Sequence, residues 1–162
     1  MLFRSALFVQ MLHPLAMAGV AEHSSYRTDP LGRLARTGRF VATTTYGTTD
    51  AAERAIAGVQ AVHGRVRGVA LDGRRYDASD PALLSWVHNV EVESFLTAYR
   101  TYGPGTSEAE ADRYVREMRV LGFALGADDL PTTAAGLREW VQGHREVAAS
   151  PAAHSEIGRA HV

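Results

Sequence analysis

Helix-start signals recur along the whole chain, each just ahead of an apolar run, and the gaps between them are short. In "DPLGRLARTGRFVATTTYG", Asp29 is a good N-cap and Pro30 falls at the first helical position, where its missing N–H costs nothing. One face of that helix carries Leu31, Leu34, Ala35 and Gly38; another carries Arg33, Arg36 and Thr37. The β-branched run Thr43–Thr45 and then Gly47 mark its end. "DAAERAIAGVQAVHGRVRG" starts on Asp50 with Glu53 as a capping box, and Gly68 supplies its stop. Its apolar stripe, Ala52, Ile56, Val59, His63 and Val66, turns His63 inward. Later starts lie at Pro81, capped by Ser79 or Asp80, at Ser107 with Glu110, and just after Pro131. Only "LDGRRYDASDP" hints at strand, a short hairpin near residues 69–77 turning at Asp72-Gly73. The expectation is an all-α, multi-helix globular domain.

At 162 residues the chain is one domain long, expected over 6–155, with no internal repeat and no dividing linker. Apolar residues make up 46% and charged residues 22%, with a net charge of -1, the balance of a soluble globular protein. No basic stripe offers nucleic acid a footprint. The absence of cysteine excludes disulfides, thiolate catalysis and cysteine-ligated zinc. The stretch "ALFVQMLHPLAMAGVA" reads as a buried helix over about residues 6–21, apolar all round and kinked or split at Pro14. Gln10, His13 and Pro14 interrupt it, so it predicts neither a transmembrane span nor a signal peptide, and a cytoplasmic location is the default. The ends read as foreign: "MLFRS" and "EIGRAHV" are what common sequencing-adapter bases encode. Met1–Ser5 and Glu156–Val162 are therefore expected to flank a fragment whose natural chain continues at both ends.

His63 has two readings. It is an ordinary core histidine with one hydrogen bond, or an imidazole that points into a cavity and ligates a metal or haem iron. Arg33, Arg36 and Thr37 are a solvated face, or a set that pairs with the carboxylates of a ligand. His88 and Glu91, within "WVHNVE", could offer a pair to a metal, but no second ligand array completes them. Trp86 and Phe95, with Leu83, Leu84, Val87 and Val90, read as core, and Glu91 and Glu93 as surface or partly buried salt-bridge partners. There is no phosphate loop, and no GxSxG elbow.

The string "LHPLAMAGVAEHSSYRTDPLGRLARTGRF…YG", continued by "VHGRVRG…LDGRRYDASDPALLSWVHNVEVESFL", resembles the MpaB/rubber-oxygenase catalytic domain family, which includes the latex-clearing proteins. The likeness runs from about Leu7 to Gly126 and less distinctly to Ala149. It implies a mainly helical fold holding haem b without a covalent link. It also implies that Arg33 and Thr37 surround the haem and that His63 is its axial iron ligand. The position where latex-clearing proteins carry a lysine is Arg36 here, and an arginine does not coordinate iron as a neutral lysine can. The family's catalytic carboxylate does not map cleanly; Glu22 lies near its place, and the catalytic residue is unknown. The implied activity is oxidative cleavage or oxygenation of an apolar unsaturated, polyisoprenoid-like substrate by dioxygen. Two alternatives stand beside it: a non-catalytic helical module that binds haem or a lipid, and a haem-free scaffold in which His63 is only core.

Overall fold

The computed structural model describes residues 12–144. Helix α1 (Pro14–His23) leads through a 3-10 turn (Ser25–Arg27) to α2 (Pro30–Tyr46) and α3 (Thr49–His63). A hairpin of β1 (Arg67–Val69) and β2 (Arg75–Asp77) follows, then α4 (Pro81–Tyr102), α5 (Glu108–Leu125) and α6 (Ala134–Gly143). The protein is mainly α-helical, with one short antiparallel hairpin, as expected. Residues 6–11 of the apolar N-terminal stretch, and both suspected adapter segments, lie outside the described residues.

Most helix starts fall where local chemistry puts them. Asp29 accepts from the Gly32 N–H at 2.9 Å, Asp80 from Ala82 at 2.8 Å, and Ser107 and Glu110 form their reciprocal box. Pro14 starts α1, with His13 as its N-cap, and does not kink a longer helix within the described residues. Two expectations are corrected. The cap of α3 is Thr48, whose hydroxyl accepts from Ala51, so Asp50 lies in the first turn, where its charge favours the helix dipole. Its C-cap is Gly64, not Gly68, which lies in β1 opposite Tyr76. The hairpin starts at Arg67, two residues before the expected 69, and turns through Gly73 at φ +85°.

Helix α4 is the axis of the core. Along it Leu83, Trp86, Val90, Val92, Leu96 and Ala98 are buried. Val92 and Leu96 pack with Ala111 and Val115 of α5 and with Ala134 and Leu137 of α6. A second cluster joins Leu83 to Ala70 and Tyr76 of the hairpin region, with Leu15 and Ala18 of α1 against it. Buried polar groups on α4 fasten the loop after α5. Ser85 Oγ accepts from the Asp128 and Asp129 N–H groups, both at 3.1 Å, and Asn89 Nδ2 donates to the Asp129 carbonyl at 2.9 Å.

Helices α2 and α3 are different: neither buries a single residue. They pack on each other, and Gln60 of α3 reaches the Ala124 carbonyl of α5 at 2.8 Å. The α3 stripe is as expected, with Ala52, Ile56, Val59, His63 and Val66 half-buried while most of the intervening residues are exposed. On α2, Leu31 is 78% exposed and Leu34 44%, while Arg33 and Thr37 face inward. Hydrogen bonds from Arg36 to Ser25 and Asp29 fasten that side of the helix to the preceding turn.

The α4–α5 contact is tight enough to test. A Cβ on Gly122 would lie 2.6 Å from Leu130 Cδ1 and 2.9 Å from the His88 ring. Gly122→Ala is therefore expected to cost about 2 kcal/mol by overpacking. Gly58→Ala on α3, where a Cβ meets nothing within 4 Å, should stabilise by about 0.5–1 kcal/mol. Urea unfolding of the two variants beside the parent checks both signs.

Candidate functional site

Between α1, α2, the end of α3, the hairpin, α4 and α5 lies a cavity of about 540 Å³. Leu15 and Val20 of α1, Val62 of α3, Leu84 and Val87 of α4 and Leu125 of α5 give it apolar walls. Arg33, Arg36, Thr37 and His63, the residues singled out from sequence, all line it. His88, Glu91, Tyr76 and His23 line it as well.

The α2 contribution comes from one helical face. Thr37 returns its hydroxyl to the Arg33 carbonyl at 3.2 Å, which fixes its methyl and oxygen on the helix surface. Arg36 donates to Asp29 Oδ2 at 3.3 Å and to Ser25 Oγ at 2.8 Å. Both members of that ion pair are more than half exposed, so it is weak and its guanidinium is available for exchange with another anion.

His63 closes α3 and is half-buried, with Gly64 capping the helix behind it. Burial holds its pKa below the usual histidine value, so the ring is neutral at pH 7. Its imidazole makes no hydrogen bond among the described residues. A neutral imidazole open to a cavity can meet water or a guest there.

The α4 wall is richer than the sequence suggested. His88 is only 8% exposed, and burial pushes its pKa down to about 4, against the opposing pull of a hydrogen bond to the Met118 backbone. Glu91 sits one turn further along the same face. Burial raises its carboxyl pKa, and it makes no ion pair or hydrogen bond among the described residues. The expectation of a surface or salt-bridge role for Glu91 is therefore corrected: its helix face is turned to the cavity. Glu93, on another face, accepts from Thr97 at 2.8 Å. No group of three or more metal-ligating side chains forms among the described residues.

Tyr76 went unnoticed in the sequence. Its hydroxyl donates to Glu22 Oε2 at 2.5 Å and lies 3.1 Å from His23 Nε2. Burial, then the Glu22 carboxylate, pushes its pKa up to about 12. Gly68 makes room for this network, since a Cβ there would meet the Tyr76 hydroxyl at 2.6 Å. The signal was present in the strand register, which sets Gly68 opposite Tyr76, but pairing across a short hairpin is not a local property. Trp86 is core, 3% exposed, as read; Leu84 and Val87, expected in the core, wall the cavity instead.

The histidine electrostatics carry a sign. The folded pKa of His88, about 4, lies below the unfolded value, so the unfolded chain takes up the proton first as acid is added. The stability is intact above about pH 6.5 and falls through the window down to about pH 4, by about 3 kcal/mol in all. His13 and His63, shifted the same way, add to the slope. Urea midpoints between pH 7.5 and 4.5 should fall steeply for the parent and less steeply for His88→Asn.

Compared with known families, residues 1–159 match "ER-bound oxygenase mpaB/B'/Rubber oxygenase, catalytic domain". No curated protein matches the chain, and no solved structure does. No helix among the described residues is long and apolar enough to cross a membrane. The match takes in nearly the whole chain, and on it the protein belongs to the mpaB/rubber oxygenase catalytic domain family, a family of oxygenases.

Proposed function

We propose that this chain is a haem b-dependent oxygenase that uses dioxygen to oxygenate or cleave an apolar unsaturated substrate of isoprenoid-like character. The observation that carries this reading is the convergence of His63 with Arg33, Arg36 and Thr37 on one apolar-walled cavity. The residues fit the group. A neutral imidazole without a hydrogen-bond partner among the described residues could donate a ring nitrogen to haem iron. Two arginines on one face of α2 match a pair of propionate carboxylates, which could not otherwise approach an apolar wall.

When bound, haem supplies the iron redox chemistry for adding dioxygen to a carbon–carbon double bond. His63 would hold the iron through its ring, whose pKa burial lowers below the usual histidine value. Arg33 and Arg36 would pair with its carboxylates from α2. Leu15, Val20, Leu84 and Val87 exclude water and accept an apolar chain. Arg36, standing where a lysine would be, positions a carboxylate and leaves iron coordination to His63.

The test is the absorption spectrum of the haem-reconstituted protein beside His63→Ala, with oxygen uptake on isoprenoid alkenes. The parent should give a sharp Soret band that His63→Ala shifts or abolishes. Arg33→Met should weaken haem association about tenfold, the worth of one charge-assisted hydrogen bond. An unchanged spectrum in well-folded His63→Ala removes the axial assignment. Haem binding with no oxygen uptake across the alkenes leaves a binding module instead.

A further inference from the structure

Glu91 is a polar residue of the cavity wall that the proposed function does not use. It lines the cavity from α4, one turn beyond His88, on a helix whose neighbouring residues are mostly buried. Neither a cation nor a hydrogen-bond donor meets it among the described residues. Its carboxyl oxygens are not among the buried polar atoms that lack a partner, so they open onto the cavity, where a guest's polar group can take the place of water.

We propose that the Glu91 carboxyl is the hydrogen-bonding point for the cavity's guest, and that the guest is an apolar molecule bearing a carbonyl oxygen. This rests on the proposed function, because it takes the guest at Glu91 to be the substrate or product of that same cavity. The surroundings choose the chemistry. The same cavity is lined by Arg33 and Arg36 of α2, which disfavour a cationic guest. His63 from α3 and His88 on α4 are neutral at pH 7 and contribute no charge. Tyr114 of α5 lies within electrostatic reach of Glu91, and its own pKa is pushed up to about 12 by burial and then by Glu91, so it stays a neutral phenol. Burial favours the protonated carboxyl, which has one O–H to give. An O–H donor in an apolar wall selects an acceptor oxygen without a charge. Cleavage of a double bond by dioxygen gives two carbonyl groups, one on each former alkene carbon, with both oxygen atoms accounted for. The product end of such a reaction therefore carries the acceptor that Glu91 is fitted to hold.

The experiment measures binding of geranylacetone against a hydrocarbon of the same isoprenoid skeleton, by calorimetry, to the haem-free and haem-loaded protein. The parent should prefer the ketone about tenfold, the worth of one hydrogen bond. Glu91→Gln, whose amide still donates, should keep most of that preference, and Glu91→Leu should remove it, with circular dichroism confirming that both variants fold. The preference should also shrink as pH rises through the raised Glu91 pKa, because the carboxylate no longer donates. Equal binding of ketone and hydrocarbon by the parent overturns the proposal, as does a preference that survives in Glu91→Leu. Absence of binding by either probe overturns it too. If haem does not bind but the haem-free protein keeps a Glu91-dependent preference, the haem reading fails and the Glu91 assignment stands. If haem binds through His63 and Glu91→Leu discriminates as the parent does, the reverse holds.

Discussion

The approach of α5 to α4 at Gly122 governs what surrounds it. Because no Cβ fits between Leu130 and the His88 ring, the two helices come close enough to bury His88 beside the cavity. That burial makes the imidazole neutral, and the same face then carries Glu91 one turn on. The loop after α5 is brought against α4, where Ser85 and Asn89 can meet its backbone. A larger residue at Gly122 would disturb all of these together.

The cavity is electrically uneven in consequence. Its α2 side carries the permanently charged guanidinium groups of Arg33 and Arg36. On its α4 side burial keeps His88 neutral and raises the pKa of Glu91. A guest with an anionic head and an uncharged polar group would find a partner for each among the lining residues, beside apolar side chains. Such a division would favour one orientation of a long molecule, since the other would place an anion against the Glu91 carboxyl.

What could be read in the sequence was what is decided within a few residues. Asp29, Asp80, Ser107 and Glu110 each satisfy backbone N–H groups of their own first turn, so their roles follow from spacing. Thr48 was missed because Asp50 offered an equally good local pattern, and only the folded backbone chose between them. The inward turn of His63 was legible from its stripe, and the gathering of Arg33, Arg36 and Thr37 around the same cavity accords with the family resemblance. Glu91 and Tyr76 were not legible. A glutamate on a helix reads as a solvated residue, and only the position of α5 and the hairpin reveals which face is closed to water. The outward placement of Leu31 and Leu34 escaped for a similar reason: periodicity defines two faces but does not say which one turns inward.

Helices α2 and α3 contribute Arg33, Arg36, Thr37, Val62 and His63 to the cavity wall and yet bury no residue of their own. Their side chains half-cover an apolar space, and a molecule in that space completes their packing. Occupancy and the local order of these helices are then two aspects of one equilibrium. Whatever binds there adds a stabilisation that grows with the logarithm of its concentration over its dissociation constant, and this falls first on the two helices that lack a core of their own.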